Sequence, residues 1–384
     1  MKLALMQEIY TLIKTFGKIS FSQYMQCCLY SPRGGFFSSR ESTISRHFTT
    51  SPSSHPLYGF LIARQLEQMW KHLGEPQRFH VVEIGSGDGT LALSILNAFQ
   101  QLSEKLADAV VYVAVDYEPR YPESVQNIRG WNDDRESTRS IDDKKMDHKI
   151  QCVKAESLRS LKGIVGCILS NELLDNFPVH RFEIRDNRAK EIFVTVEGEG
   201  LVEILGEPST SEIQGRLDSL GLDLPEGFRG EVNLNLKGWV DQLYQTLERG
   251  FVLTIDYGEI ARDLFSSHYS QGTLVCYHKH SMNHDSFINV GMQDITSLVD
   301  FTSLISLSEQ IGLKTIGYTL QRDFLLKLGF MEVYGQLETA NLSEAQVALR
   351  RMVMDALIDP EQLGGFKVLA QSKAIDSTIE LLAF

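Results

Sequence analysis

Glu83, Gly85, Gly87 and Gly89 sit in V-V-E-I-G-S-G-D-G-T (Val81 to Thr90), where an apolar run meets a turn with glycine at every second position. A backbone without Cβ atoms can approach a flat, polar ligand closely. Val81, Val82 and Ile84 favour a strand and the residues after Thr90 read as a helix, so the turn stands at a strand-to-helix junction. A dinucleotide-binding turn, G-x-G-x-x-G, would need glycine at position 90, where this chain has Thr90. The plainer alternative is a structural turn. Asp116 ends the apolar run Val110 to Val115, about where such folds set a carboxylate against two ribose hydroxyls; a solvated strand-end acid is the plainer alternative there.

A second constellation is N-E-L-L-D, with Asn171, Glu172 and Asp175. If the strand before it turns into a helix, Glu172 and Asp175 share a face and can act as a pair. Two carboxylates bound to two nitrogens of a guanidinium localise its charge and leave the third nitrogen reactive. The alternative is a helix N-terminus, with Asn171 as cap and the acids favourable to the helix dipole. Asp256 and Tyr257 end a further apolar strand and have a shaping role. His278 and His280 in Y-H-K-H are either proton acceptors or polar residues at a strand end.

Strand, glycine turn, helix, strand and acid in that order begin a parallel sheet, and the fold class expected is a doubly wound α/β sheet. Ile150 to Val153, Ile164 to Ser170, Phe251 to Gly258, Leu313 to Thr319 and Phe366 to Ala370 supply further strands. Leu91, Ile95, Leu96, Phe99 and Leu102 give one helix its buried face, and Trp239, Leu243 and Leu247 mark another that stops at Gly250. Ligands bind such sheets at the carboxyl ends of the strands, so Asp116, Asn171 with Glu172, and Asp256 are expected to line one crevice with the glycine turn. Phe182 to Leu205 alternates around Arg185 to Arg188 and predicts an antiparallel excursion. Residues 131–149 are polar and aperiodic and read as an exposed loop. Four segments follow: an N-terminal helical cap (1–60), the first part of the core (61–181), an inserted β-rich segment (182–235), and the remainder of the core (236–384).

Across 384 residues, 43% hydrophobic and 23% charged residues describe an ordinary soluble protein. A net charge of −13 argues against a nucleic-acid partner, which would favour a basic patch. Five scattered cysteines form neither a disulfide framework nor a zinc motif, and no metal is expected. No apolar run reaches the length of a membrane span, and the N-terminus reads as a helix of a mature, cytoplasmic protein. An oligomer is possible but not readable from these features.

The loop E-x-G-x-G-x-G looks like the one that binds S-adenosylmethionine in the large doubly wound methyltransferase class. Several segments together resemble one family, the MidA-like S-adenosylmethionine-dependent methyltransferases. Its mitochondrial members are assembly factors of respiratory complex I that methylate arginine in a protein. Ile19 to Ser38 is similar to the family's entry motif, Val81 to Leu91 to its cofactor loop, and Ser170 to Phe182 (S-N-E-L-L-D-N-F-P-V-H-R-F) to its most specific signature. Leu253 to Gly258, Gly272 to His280, Gln293 to Phe301 and Phe366 to Lys373 also fit. The resemblance implies a Rossmann-like methyltransferase sheet with an N-terminal helical extension and an inserted antiparallel excursion. It implies S-adenosylmethionine held by Glu83, Gly85, Ser86, Gly87, Gly89, Thr90, Asp116 and Asn171, and catalysis by Glu172, Asp175 and Asn171. The acceptor implied is a protein or peptide. One segment departs from the family: between Arg46 and Gly59, His47 and Ser53 stand where it carries an aspartate and a glutamate. The acceptor therefore stays open among arginine, another protein side chain and a small molecule, alongside an assembly factor that binds the cofactor without transferring methyl.

Overall fold

The computed structural model describes residues 2–38, 51–116, 131–133, 150–154, 158, 161–336, 343–376 and 379–384. The chain divides into two compact units, one of Thr49–Leu173, Val240–Tyr257 and Ser308–Phe384, the other of Met1–Phe48, Leu174–Trp239 and Gly258–Leu307.

In the first unit, among the described residues, eight strands form one sheet. In chain order they are β1 (Phe79–Ile84), β2 (Val110–Asp116), β3 (Trp131–Asp133), β4 (Ile150–Lys154), β5 (Ile164–Asn171), β6 (Leu247–Asp256), β7 (Lys314–Leu320) and β8 (Lys367–Lys373). Their order across the sheet is β7-β8-β6-β5-β1-β2-β4-β3. The six strands from β6 to β3 run parallel, and β8 is antiparallel between β6 and β7. This is the doubly wound α/β sheet that the sequence predicts.

Buried β-branched runs suit strands covered on both faces. On one face, Phe79 and Val81 of β1, Tyr112 and Ala114 of β2, and Cys167 and Leu169 of β5 join a core with Tyr58, Leu61 and Leu66 of helix Pro56–His72. Leu91, Ile95 and Phe99 of helix Thr90–Leu102 belong to the same core, as the helical spacing of those residues predicts. Because side chains alternate along a strand, Glu83 lies on this covered face with Phe79 and Val81, and Asn171 lies on it with Cys167 and Leu169.

The second unit is mainly antiparallel. Ile19–Ser20, Arg188–Glu197, His180–Arg185 and Arg229–Val232 pair in that order, and Gly200–Gly206 adds to Arg188–Glu197. Asp186 and Asn187 have φ of 53° and 58°, as a two-residue type I′ hairpin requires, so the turn expected at Arg185 to Arg188 forms there. Helices Lys2–Phe16 and Phe21–Tyr30 form the N-terminal extension. A capping box starts the second of these, with Gln23 N donating to Ser20 Oγ at 3.1 Å and Ser20 N donating to Gln23 Oε1 at 3.0 Å.

Three features differ from the sequence expectations. Trp131–Asp133 is a strand inside the segment read as a loop, because it finds a parallel partner in Ile150–Lys154; residues 134–149 lie outside the described residues. The helix expected to run to Gly250 is Asn235–Thr246, and pairing with Ile164 draws Leu247 into β6. The N-terminal extension and the inserted strands cluster with residues 258–307, so the compact units do not follow the breaks at 60, 181 and 235.

At the centre of the parallel sheet His80, Gly166 and Gly250 stand side by side on β1, β5 and β6. A Cβ on Gly166, at φ 153°, would lie 2.0 Å from the His80 carbonyl oxygen. Neither that backbone nor its own can move without breaking the ladder. Gly166→Ala should destabilise the fold by about 3 kcal/mol or more, read as a lower urea midpoint, and an unchanged midpoint would contradict this account.

Candidate functional site

The carboxyl ends of β6, β5, β1 and β2 lie along one edge of the sheet, and they carry Asp256, Asn171 with Glu172, the glycine turn and Asp116. Gly85, Gly87 and Gly89 have φ of 72°, 54° and 76°, so all three glycines use backbone that side-chain-bearing residues rarely adopt. The turn is tied to the end of β2: Gly85 N and Ser86 N donate to Val115 O at 2.9 and 3.2 Å. Gly87 N donates to Asp116 Oδ2 at 2.8 Å. Thr90 N donates to Asp88 Oδ1 at 3.0 Å, and Gly89 precedes helix Thr90–Leu102. The glycine loop and Asp116, expected together, are therefore in direct contact.

Glu83 is buried beneath this turn at 3% exposure. Burial pushes its carboxyl up to about 8, and the charges of Asp116 and Asp88 push the same way. The Tyr112 hydroxyl, donating to Glu83 Oε2 at 2.7 Å, acts in the opposite direction. Three acidic residues thus crowd the loop, an arrangement that favours a ligand carrying positive charge. A loop with glycine at every second position beside Asp88 and Asp116 fits S-adenosylmethionine, which combines a sulfonium and an ammonium with a single carboxylate.

Asn171 ends β5, and Glu172 follows it with φ 52°, an uncommon left-handed backbone for a glutamate. Its N–H donates to Ile255 O at 2.9 Å, which ties the bend to the end of β6. Glu172 Oε1 accepts from Ser51 N at 3.2 Å and from Asn171 Nδ2 at 2.9 Å. Asn171 Oδ1 accepts from the Tyr58 hydroxyl at 2.5 Å. Asp256 serves the neighbouring backbone, accepting from Leu173 N at 3.0 Å and from Tyr257 N at 2.9 Å. That suits the shaping role expected of it.

No helix starts at Glu172. A short 3-10 turn, Leu174–Asn176, follows the left-handed residue, so the shared helix face on which Glu172 and Asp175 were to pair does not form. Asp175 is buried in the second unit, where its carbonyl accepts from Ser297 N at 3.0 Å. His278 and His280 flank a hairpin in that unit; His278 Nδ1 lies 2.7 Å from Met292 O, and His280 takes a left-handed turn position. Ser53 belongs to the short helix Ser51–Ser54, and His47 lies outside the described residues. Sequence reasoning missed Tyr58, Tyr112 and Ser51. Tyr112 was hidden in an apolar strand, and Tyr58 and Ser51 have partners 113 and 121 residues away.

The raised carboxyl of Glu83 has a definite sign for stability. The folded protein keeps its proton to about 8, whereas an ordinary glutamate releases it near 4.5. The resulting stabilisation is full below the lower value and is lost as pH rises through the higher one. Glu83→Gln removes this dependence, so chemical denaturation from pH 4.5 to 8 should show the wild type losing a few kcal/mol relative to the variant. Parallel stability profiles would show that Glu83 does not titrate late.

Residues 61–319 match the family described as "Putative S-adenosyl-L-methionine-dependent methyltransferase". The chain is 27% identical to the protein arginine methyltransferase NDUFAF7 homolog, mitochondrial, of Drosophila melanogaster, over 96% of this chain and 84% of the relative. It is 24% identical to the human mitochondrial protein arginine methyltransferase NDUFAF7, over 92% of this chain and 79% of the relative. Among solved structures, a "likely methyl transferase" from Burkholderia thailandensis bound to S-adenosyl-homocysteine superposes with a TM-score of 0.82 at 27% identity, over 99% of this chain and 94% of that one. The relatives' mitochondrial names overturn the expectation of a cytoplasmic protein, because the composition of a folded core carries no address. Among the described residues no helix is long and apolar enough to cross a membrane. The chain belongs to the S-adenosyl-L-methionine-dependent methyltransferase family that its residues 61–319 match, and S-adenosyl-L-methionine is its cofactor.

Proposed function

We propose that this methyltransferase acts on an arginine side chain of a protein and that Glu172 engages the acceptor. The observation that carries the proposal is the setting of Glu172: a left-handed residue at the carboxyl end of a central strand, with Oε1 held by two N–H donors. The naming of the fly and human relatives as protein arginine methyltransferases supports the choice of acceptor.

When bound, S-adenosyl-L-methionine supplies a methyl group on a positively charged sulfonium. We assign its binding to Glu83, Gly85, Ser86, Gly87, Gly89, Thr90, Asp116 and Asn171. The glycines keep side chains out of the way, and the acidic residues favour a cationic ligand. On the acceptor side, the charge of a guanidinium is delocalised and its pKa exceeds about 12, so it is a weak nucleophile. A fixed carboxylate at Glu172 draws that charge toward the nitrogens it binds and leaves another nitrogen better able to attack.

Two carboxylates of the resembled family are replaced by His47 and Ser53, which favours a second reading: an assembly factor that binds the cofactor without transferring methyl. Incubating lysate protein with tritiated S-adenosylmethionine decides between them. Label that depends on the wild-type chain rejects the second reading, and its absence rejects the first.

Gly87→Val puts a branched side chain on left-handed backbone within the cofactor loop. S-adenosylmethionine binding by calorimetry should be lost while far-UV circular dichroism stays that of a folded chain, and unchanged affinity would place the cofactor elsewhere. Glu172→Gln keeps shape and removes charge. Methyl transfer should slow by about 2–4 kcal/mol of barrier with cofactor affinity nearly unchanged. A lower melting temperature with normal turnover per folded molecule would instead make Glu172 a structural residue.

A further inference from the structure

We infer that Tyr58 is a positioning residue for methyl transfer, acting on Glu172 through the side-chain amide of Asn171; this rests on the acceptor role proposed for Glu172. Tyr58 is fully buried on helix Pro56–His72, packed against the sheet face that also carries Asn171. Its hydroxyl donates to Asn171 Oδ1 at 2.5 Å. A side-chain amide has a carbonyl end that accepts and an NH₂ end that donates. With the carbonyl end turned to the tyrosine, the donating end faces Glu172, and Asn171 Nδ2 gives its hydrogen to Glu172 Oε1 at 2.9 Å. The carboxylate takes the donating end and the phenol anchors the accepting end, so the amide is fixed at both ends.

The phenol is held as a donor. Burial, then the Glu172 carboxylate, push its ionisation well above the ordinary tyrosine value. On the other side of Glu172 the backbone N–H of Ser51 donates to the same oxygen at 3.2 Å. Ser51 is in turn fully buried against Gln321, whose Nε2 donates to Ser51 Oγ at 3.2 Å and to Leu363 O at 2.9 Å. Glu172 Oε1 is thus gripped from two sides by groups that are themselves anchored. A carboxylate so held keeps one orientation before the acceptor arrives, which is the condition for it to orient a guanidinium rather than follow it.

Without the phenolic hydrogen, the Asn171 amide keeps its bond to Glu172 but loses the anchor at its carbonyl end, so amide and carboxylate are free to shift together. The carboxylate then loses one of its two fixed sides and leaves its productive position. The effect reaches the reaction only through Glu172, and that dependence separates positioning from packing.

The test is a double-mutant cycle on the full chain, using tritiated S-adenosylmethionine and protein of a lysate from cells lacking this chain, with rates normalised to folded protein. Tyr58→Phe should reduce kcat by ~10-fold to ~100-fold and leave KM for S-adenosylmethionine within about twofold. In a Glu172→Gln background the same change should have almost no further effect, because the group it positions has lost its charge. Asn171→Asp, which replaces the donating end with a second acceptor, supplies a second cycle: its loss of kcat should likewise vanish in a Glu172→Gln background, whatever it does to the affinity for S-adenosylmethionine, to which Asn171 is also assigned. Equal losses from Tyr58→Phe in both backgrounds, or none in the wild type, would overturn the positioning role while leaving that of Glu172 intact. Normal transfer by Glu172→Gln itself would overturn the acceptor assignment, and this inference with it.

Discussion

Three neighbouring parallel strands meet at Gly166 and Gly250 with no room between them for a side chain, since a Cβ on either would lie within 2.0 Å of a backbone oxygen on the next strand. This contact sets the register of β1, β5 and β6, and the register sets how far each strand reaches at its carboxyl end. Because a parallel ladder repeats along its length, Glu83 on β1 stands beside Leu169 on β5, and Asn171 on β5 stands beside Ile255 on β6. The acids and amide at the strand ends are a few residues beyond the contact. A shift of one residue would turn each of them to the opposite face of the sheet.

Electrostatics divides that edge into two parts with different physical settings. Around the glycine loop, burial and then the charges of Asp116 and Asp88 raise the cost of ionising Glu83. Acidic side chains crowded at a glycine-rich loop oppose one another unless positive charge is brought to them. Around Glu172 the arrangement is of the opposite kind. N–H donors converge on a single carboxylate oxygen, and the groups behind them are uncharged and buried. One part crowds acidic groups together, and the other fixes a single carboxyl with neutral donors.

The bend at Glu172 connects these parts to the backbone. A left-handed glutamate costs on the order of 1 kcal/mol or more and persists only where its surroundings demand it. Here its N–H is bonded to Ile255 O, its carboxyl is bonded to Ser51 N, and the next residue's N–H is taken by Asp256. An α-helix beginning at Asn171 would present Glu172 and Asp175 together on one face. The chain instead turns left-handed at Glu172, and Ser51 N and Asn171 Nδ2 hold its carboxyl.

Much of the architecture is legible in local pattern. Apolar runs ending in Asp116, Asn171 and Asp256 mark the central strands, the spacing of Leu91, Ile95 and Phe99 marks the helix after the loop, and Asp186 with Asn187 marks the hairpin. These features depend on residues close in the chain, where steric preference and periodicity act directly, and the glycine loop is legible for the same reason. Other features depend on which distant segments pack together. Trp131–Asp133 is a strand only because Ile150–Lys154 lies beside it. Glu83 is buried and protonated late only because its face of the sheet is covered, and Tyr112 reaches it only from the next strand. Tyr58 and Asn171, 113 residues apart, and Ser51 and Gln321, 270 apart, have nothing in their local sequence that names the other. The sequence by itself determined the sheet, the glycine turn and the family, because periodicity, glycine and short motifs are local. Tertiary structure alone decided how Glu172 is held, because a buried hydrogen bond exists only once packing has excluded water and brought its two ends together.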